Sequence, residues 1–493
     1  MKRYIFNIIV SFFTVYSFGQ TPIEILSAQE LIYNQTQGDY QLCKGNVKFK
    51  QGTVFMDCDS AKFYDKENKI EAFGSIRILQ RDTLDLRGEF LTYDGDNRLA
   101  TISKNVTLSD GKMILSTESL LYNLIDKKGN YSSGGHIING DDNLNSRRGT
   151  YLSRTKDLFF RDTVRLINPD YTMESDTLQY NILSKTATFL GPTYIFSDEN
   201  TIFCNYGWYN TQTETSQFSQ GAYIESNNSR LDADSMVYFR ISGLGEAFGD
   251  IQFEDSVEKI FIFGQYASYQ RLSNKTLISG EPMAIKKMSG DTLFLKADTF
   301  IDYIDTMQHR LLSAFSNVRL YKSDIQSYSD SLCYNFSDSS IGFYEKPILW
   351  SGNNQLTGDT IFIFTNDSVV EFMDIRGSAF TIEEDINGLY NQVSGRHMKV
   401  YFKAGELKTI DVQGNAQSIY FALEDSTQYT GVNDVYCGDM RISMNKKNVR
   451  TIKFMTQPKS IFYPLEKFPK TKYRIPGFKW EIDLKPKKPN FIN

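Results

Sequence analysis

Pairs of aspartates are the residues in this sequence best suited to chemistry. Asp57 and Asp59 are separated by one residue, and Asp232 and Asp234 repeat that spacing. Neighbouring carboxylates can form an acid and base pair or bind calcium. An Asp-Thr step also recurs at residues 82–83, 176–177, 291–292 and 359–360. Because acidic steps occur in nearly every repeat and the glycine spacing of calcium-binding repeats is absent, we interpret them as structural turns.

Histidine and cysteine are scarce and scattered. The three histidines are His136, His309 and His397, and the five cysteines are Cys43, Cys58, Cys204, Cys333 and Cys437. Histidines this far apart predict no histidine-built metal site. An odd cysteine count without a CxxC motif indicates thiols in strands, with room for one disulfide in an oxidising compartment. Known nucleophile, phosphate-loop and zinc-protease motifs are absent. We therefore expect no catalytic residues, no metal and no cofactor.

The composition favours a protein made of strands. Tyr 30 and Phe 36 are abundant and Pro is 11, a balance typical of β-structure. Lys+Arg 54 nearly equals Asp+Glu 59, so the chain has no overall basic field that would attract nucleic acid. Length alone suggests about three domains at roughly 100–200 residues each, unless the chain is a repeat.

The N-terminus has the layout of a secretory signal peptide. Lys2 and Arg3 precede a mostly apolar run over residues 4–18, and small residues suit a cut before Gln20. The alternative is a retained anchor, but the run is shorter than the ~18–20 residues of a spanning helix. We expect residues 1–19 to be removed after export.

A 29-residue period is the most informative pattern in the sequence. Tyrosines stand 29 residues apart at Tyr64, Tyr93, Tyr122, Tyr151, Tyr180, Tyr209 and Tyr238. The column continues with looser spacing through Tyr269, Phe300, Tyr334, Ile363 and Tyr401, and backward to Tyr33. A fixed period of this length predicts stacked structural units in place of separate globules. We assign residues 20–457 to one elongated β-repeat stack.

Each repeat combines strand alternation with one break. In residues 173–180 and 231–238 apolar and polar residues alternate, but the two apolar columns are offset by five, which reverses the buried face. A bulge or corner is therefore expected at the Asp-Ser or Asp-Thr step. A turn and a second strand with Gly and a β-branched residue follow.

The C-terminal residues 458–493 differ from the repeat. They hold six of the eleven prolines, nine Lys or Arg and three acidic residues. This basic tail has three interpretations: a strap that docks a partner or an anionic lipid surface, a disordered terminus, or a strap over the last repeat. In the docking interpretation Phe478 and Trp480 are the aromatic anchor.

Two segments near the N-terminus carry a specific pattern: Lys44-Gly45-Asn46-Val47-Lys48-Phe49-Lys50-Gln51-Gly52 and Asp57-Cys58-Asp59-Ser60-Ala61-Lys62-Phe63-Tyr64. They resemble the repeat signature of the organic-solvent-tolerance (OstA) N-terminal family of lipopolysaccharide-transport proteins. The resemblance is clearest over residues 22–180. It implies an antiparallel β-jellyroll opened like a bent sheet, with an apolar trough for acyl chains. A parallel β-solenoid remains an alternative because periodicity alone does not fix strand direction.

The resemblance implies a non-catalytic protein of lipopolysaccharide or related lipid transport. The residues expected to line the trough are Val47, Phe49, Ile76, Ile78, Val106, Leu108, Leu115 and Leu144. Implied partners are the lipid, other OstA-type jellyrolls joined by edge-strand pairing, and an outer-membrane barrel. The implied location is the periplasm, or the periplasmic face of the outer membrane, of a Gram-negative bacterium. The alternatives are a polysaccharide-binding or adhesive solenoid and a structural scaffold whose interior is filled by its own side chains.

Overall fold

The structure is a computed structural model that describes two compact units. The structure describes residues 21–488, except for residues 34–38, 81–83, 112, 199, 289, 367–368, 386, 404–405, 424–427 and 446–447. Unit 1 is Met1–Asp198 and unit 2 is Glu199–Asn493. The expected signal peptide, residues 1–19, lies outside the described residues. No helix in the described part of the chain is long and apolar enough to cross a membrane.

Unit 1 consists of strands joined by short turns. Its strands are β1 (Glu24–Ser27), β2 (Glu30–Tyr33), β3 (Gln41–Gln51), β4 (Val54–Tyr64), β5 (Lys69–Gln80), β6 (Leu84–Asp94), β7 (Leu99–Asp110), β8 (Met113–Asn123), β9 (Lys128–Tyr131), β10 (Gly135–Asn139), β11 (Asp142–Ser146), β12 (Arg148–Leu152), β13 (Asp157–Asn168), β14 (Tyr171–Asn181), β15 (Thr186–Phe189) and β16 (Thr193–Phe196).

Unit 2 continues the same pattern and ends in irregular structure. Its strands are β17 (Thr201–Cys204), β18 (Tyr206–Asn210), β19 (Thr215–Glu225), β20 (Ser229–Phe239), β21 (Leu244–Asp255), β22 (Ile260–Gln270), β23 (Lys275–Ser279), β24 (Met283–Met288), β25 (Asp291–Lys296), β26 (Thr299–Ile304), β27 (Arg310–Lys322), β28 (Ile325–Asn335), β29 (Ser340–Tyr344), β30 (Ile348–Ser351), β31 (Asn354–Thr357), β32 (Thr360–Asn366), β33 (Val369–Glu384), β34 (Tyr390–Lys403), β35 (Glu406–Leu423), β36 (Tyr429–Asn445), β37 (Asn448–Met455) and β38 (Lys459–Tyr463). Short 3₁₀ turns lie at Arg271–Ser273, Leu465–Lys467, Lys470–Lys472 and Ile482–Leu484.

The strands of each unit form an antiparallel meander. In unit 1, β3 pairs with β4, β4 with β5, β5 with β6, β6 with β7 and β7 with β8. Unit 2 repeats this order, for example from β33 to β36. The predicted all-β fold is confirmed. The parallel β-solenoid alternative is wrong, because the short turns between consecutive strands reverse the chain direction.

A corner bends each long strand in its middle. In β3, Lys44 pairs with Ser60 and Val47 with Cys58, so Gly45 and Asn46 together face only Asp59. Gly45 and Asn46 both have positive φ, 77° and 48°. On the other side of β4, the Ser75 hydroxyl of β5 donates to Asp59 Oδ2 at 3.0 Å. The acidic residue of the repeat is thus a corner residue, as the sequence predicts for structural turns.

The corner recurs through both units. Within strands, two consecutive residues with positive φ occur at 45–46, 74–75, 104–105, 162–163, 220–221, 249–250, 316–317, 377–378 and 414–415. Each pair coincides with a register shift, as between Phe73 and Ile76. A bulge therefore lies at the position that the sequence predicts. Its additional residue, however, belongs to the neighbouring strand, which faces the Asp-Ser step. Glycine and asparagine are frequent there because they tolerate the left-handed conformation.

Replacing the corner glycine Gly74 by alanine tests this interpretation. Its φ of 73° disfavours a side chain, and an added Cβ would meet the Asp59 carboxylate. We expect Gly74→Ala to lower the free energy of unfolding by about 1–2 kcal/mol from conformation alone, and further through Asp59. Gly111→Ala is the control, since φ is 65° and nothing lies within 4 Å. Equal losses in urea denaturation would show that the Asp59 contact contributes nothing.

The corners divide each long strand of unit 1 into two halves that pack face to face. Half-sheet A contains residues 41–44 of β3 and 60–64 of β4, half-sheet B contains residues 47–51 of β3 and 54–58 of β4, and the paired strands that follow continue both half-sheets. Phe49 of half-sheet B contacts Phe63 of half-sheet A, with ring centroids 5.9 Å apart. Side chains facing this interior are buried on both sides of each corner, which explains why the apolar columns change face.

Candidate functional site

The predicted trough residues lie together on the inner face of half-sheet B. All eight are buried. Five of them belong to one continuous row of cross-strand neighbours: Phe49, Met56, Ile78, Leu86, Leu108, Leu115, Ile137, Leu144, Leu166 and Met173. The row crosses ten strands, which corresponds to about 40 Å at the usual strand spacing. Whether it contacts a lipid stays a prediction.

Three of the repeating tyrosines lie in the opposing wall of unit 1. The cross-strand row on half-sheet A runs Phe63, Ile70, Tyr93, Ala100, Tyr122, Gly129, Tyr151 and Leu158. Tyr93, Tyr122 and Tyr151 are fully buried, and the small residues between them leave room for the large rings. The 29-residue period therefore places one tyrosine on every second pass of the chain.

The column is not uniform. Tyr64 lies on the outer face, where its ring contacts Tyr40 at 5.6 Å, and Phe63 takes its place inside. Among the members with looser spacing, Phe300 and Ile363 are buried, whereas Tyr33, Tyr269 and Tyr401 are exposed. A shift of one residue between turn and corner moves a side chain to the other face of a strand.

Hydrogen bonds close the interior of unit 1 along the edge opposite the corners. The Tyr93 hydroxyl donates to Gln51 Oε1, and Gln51 Nε2 donates to the carbonyls of Thr21 at 2.6 Å and Gly95 at 2.9 Å. Further along, Tyr151 and Lys156 both donate to Asp110 Oδ2. We call Gln51, Tyr93, Asp110, Tyr151 and Lys156 the tyrosine seam.

The seam gives a role to residues whose function the sequence did not indicate. Gln51 belongs to the Gln-Gly element of the family resemblance, and it joins the end of half-sheet B to half-sheet A. Its side chain is only 1% exposed, so the amide must be hydrogen-bonded to be stable. The sequence signal that could have identified Gln51 is a polar residue at the end of a strand whose other inward-facing residues are apolar.

The interior of unit 2 contains a small apolar cavity. It measures about 30 Å³ and lies among Leu293, Leu320, Ile341, Phe343 and Ile363. Lys322, Tyr334 and Thr365 supply polar atoms to its lining. A cavity of this size holds about one water molecule. An acyl chain would therefore need to separate the inner side chains or displace them.

The three histidines lie apart in the described part of the chain, each beside a different partner. Imidazole Nδ1 of His136 lies 2.9 Å from Asn145 Oδ1, His309 lies in a turn beside Asp305, and His397 contacts buried Asp374. Burial opposes the charge of Asp374, but hydrogen bonds from His397 and Arg376 hold the pKa of this carboxyl below its usual value. No cluster of three metal-ligating side chains occurs among the described residues.

A half-buried carboxylate on half-sheet B provides a test by pH. Hydrogen bonds from Arg87 and Arg77 lower the pKa of Asp85 from 3.8 to about 2. Since the folded value is depressed, this contribution is present above about pH 4 and is lost as the pH falls towards 2. We expect Asp85→Asn to reduce the free energy of unfolding by about 1 kcal/mol at pH 7, because the arginines are largely exposed. A reduction that persists at pH 2 in chemical denaturation would contradict this assignment.

All five cysteines are free thiols in strands. Cys43 and Cys58 face the interior of unit 1, and Cys204 is buried in unit 2. Burial raises the pKa of Cys43 to about 11 and of Cys58 and Cys204 to about 12. These thiols are consequently unreactive while the interior is closed.

The described part of the basic tail folds onto unit 2. Phe478 and Trp480 pack against Tyr390, with ring centroids 5.3 and 5.4 Å apart. Phe468 and Ile475 are buried in a cluster with side chains of β33, β35 and β36. The tail thus forms a strap over the last strands, one of the three interpretations of its sequence. Docking of a partner through Phe478 and Trp480 stays a prediction.

Bent antiparallel strands around an apolar interior are consistent with an elongated β-jellyroll. The chain matches the OstA-like protein family over residues 20–176 and 175–234. We therefore assign residues 20–234 to the OstA-like family, which confirms the resemblance seen in the sequence. No curated protein matches the chain. The family suggests a lipid-transport type of protein, and such proteins are generally not enzymes.

Proposed function

We propose that the protein is a non-catalytic carrier of lipopolysaccharide or a related lipid in outer-membrane assembly. The observation that supports this most is the continuous apolar row from Phe49 to Met173, faced by the tyrosine wall. Apolar burial is non-directional, so such a row can hold acyl chains without specific polar contacts. No disulfide holds the two half-sheets together, since the cysteines are free. The hydrogen bonds of the tyrosine seam can break and form again, so the half-sheets can separate to admit a lipid.

The proposed location is the periplasm or the periplasmic face of the outer membrane, after removal of residues 1–19. The first strands support a role in assembly with other OstA-type jellyrolls. Within the part of the chain that the structure describes, β1 and β2 pair with β3 on one side only, and Leu26, Leu31, Ile32 and Tyr33 are exposed. An open edge of this kind can add a strand from another chain. An outer-membrane barrel is a further proposed partner.

Mass spectrometry of the native protein tests the proposal. The protein purified from the cell envelope under non-denaturing conditions is expected to carry lipid A-containing glycolipid in stoichiometric amount. Protein that carries no lipid, and takes up none when lipopolysaccharide micelles are added, would contradict the proposal.

A structural scaffold is the second candidate, and the filled interior favours it. The inner side chains of unit 1 already contact one another, as Phe49 and Phe63 do. A scaffold would stay empty of lipid under the same conditions and would change stability, but not lipid content, when inner residues are shortened. The same mass measurement on wild type and Leu108→Ala therefore distinguishes the two candidates.

A further inference from the structure

Buried glutamines hold the basic tail by its backbone. Gln392 Nε2 donates to the Tyr473 carbonyl at 2.8 Å, and Gln392 Oε1 accepts from the Ile475 amide at 2.8 Å. Gln355 does the same with the Lys479 carbonyl at 2.7 Å and the Glu481 amide at 2.8 Å. Both side chains are at most 1% exposed. Each amide thus binds a donor and an acceptor of the tail, as a neighbouring strand would.

The clamps fix which side of the tail faces outward. Phe468 and Ile475 point into the cluster formed with Phe380, Ile382 and Phe421. Lys472 Nζ lies 3.0 Å from Asp434 Oδ2 and is the one tail lysine that pairs with a carboxylate among the described residues. Most of the other basic residues of the tail are exposed: Lys459, Lys467, Lys470, Arg474, Lys479, Lys487 and Lys488.

Apolar side chains of the tail are exposed as well. Ile461 and Phe462 lie on β38 near the start of the tail, and Ile482 and Leu484 lie near its end. Cationic side chains beside exposed aliphatic and aromatic ones are the composition that binds the surface of anionic membranes.

The charge of the chain is divided in the same way. Residues 458–493 contain nine basic and three acidic residues, a net charge of +6, while the whole chain carries −5. The remaining residues therefore carry −11. An anionic surface attracts the tail and repels the rest, which orients the protein with its tail towards that surface.

We propose that the folded tail is a binding surface for anionic phospholipid headgroups in a membrane. The basic residues named above supply the attraction, the exposed apolar residues insert at the interface, and the glutamine clamps present them in a fixed arrangement. This surface is separate from the interior of unit 1 and goes beyond the proposed carrier function. The tail can bind a membrane surface whether or not a lipid occupies the interior of unit 1.

Vesicle flotation of the full mature chain tests this surface. Vesicles of phosphatidylcholine with about one third phosphatidylglycerol are expected to bind the protein, and pure phosphatidylcholine vesicles to bind it at least tenfold less. Lys467→Glu/Lys470→Glu/Lys479→Glu is expected to reduce binding at least tenfold, since each cation near such a surface contributes about a fivefold factor. Raising the salt concentration should also reduce binding to the vesicles.

A charge-matched variant is the control. Lys48→Glu/Lys104→Glu/Lys128→Glu changes three exposed lysines of unit 1 and alters net charge equally. It is expected to bind as wild type does. Unchanged binding of the tail variant, equal loss in both variants, or complete competition by millimolar inorganic phosphate would overturn the proposal. The lipid content measured by mass spectrometry reports on the interior independently, so failure of one proposal is distinguishable from failure of the other.

Discussion

Gln355→Ala/Gln392→Ala is expected to release the tail from unit 2. The double change removes four hydrogen bonds to the backbone of residues 473–481 and leaves buried groups without partners. With each buried bond contributing about 1 kcal/mol, the loss is about 4 kcal/mol, which exceeds a hundredfold change in the attachment equilibrium. Limited proteolysis at the tail lysines, followed by mass spectrometry, is the measurement.

Two exposed glutamines provide the matched control for this experiment. Gln252 and Gln413 lie on strands of unit 2 and are exposed, so Gln252→Ala/Gln413→Ala should leave the cleavage rate unchanged. Cleavage of the tail at the wild-type rate in the Gln355/Gln392 variant would show that the apolar cluster around Phe468 and Ile475 alone holds the strap.

Gln51→Ala is expected to open the interior of unit 1 at its N-terminal end. The change removes the acceptor of the buried Tyr93 hydroxyl and the donor to the Thr21 and Gly95 carbonyls. Three bonds of about 1 kcal/mol each correspond to roughly a hundredfold increase in the open population. The Cys58 thiol, which faces this interior, serves as a native probe. Its alkylation rate at constant pH is expected to rise by about that factor.

The alkylation rate of Cys204 separates local opening from global unfolding. Cys204 is also buried but belongs to unit 2. Its rate should stay at the wild-type value in Gln51→Ala. If Cys204 and Cys58 accelerate together, the seam stabilises the whole chain and is not a local closure.

Local regularities of this fold could be predicted from the sequence because they repeat. Strand alternation with a five-residue offset predicts a bent strand with a corner, and Asp59 and its equivalents stand at that corner. The trough residues from Val47 to Leu144 all face the interior, since period-2 alternation after a known corner fixes the face of every residue.

Features that depend on contacts distant in sequence could not be predicted. The seam joins Gln51 to Tyr93 across 42 residues, and the tail clamp joins Gln355 to Glu481 across 126. Neither pair has a local spacing that marks it. The outward turn of Tyr64 has a different, local origin, since a shift of one residue relative to the corner puts Tyr64 on the outer face and its neighbour Phe63 on the inner one.

The central claim is that the interior of unit 1 holds acyl chains, and site-specific photocrosslinking tests it most directly. p-Benzoylphenylalanine would replace Phe49, which is 1% exposed on the inner row, or Phe55, which is 44% exposed on the neighbouring strand. Irradiation in the cell envelope is expected to yield a lipopolysaccharide adduct from position 49 and none from position 55. The absence of an adduct at position 49, or equal adducts at both positions, would contradict the account.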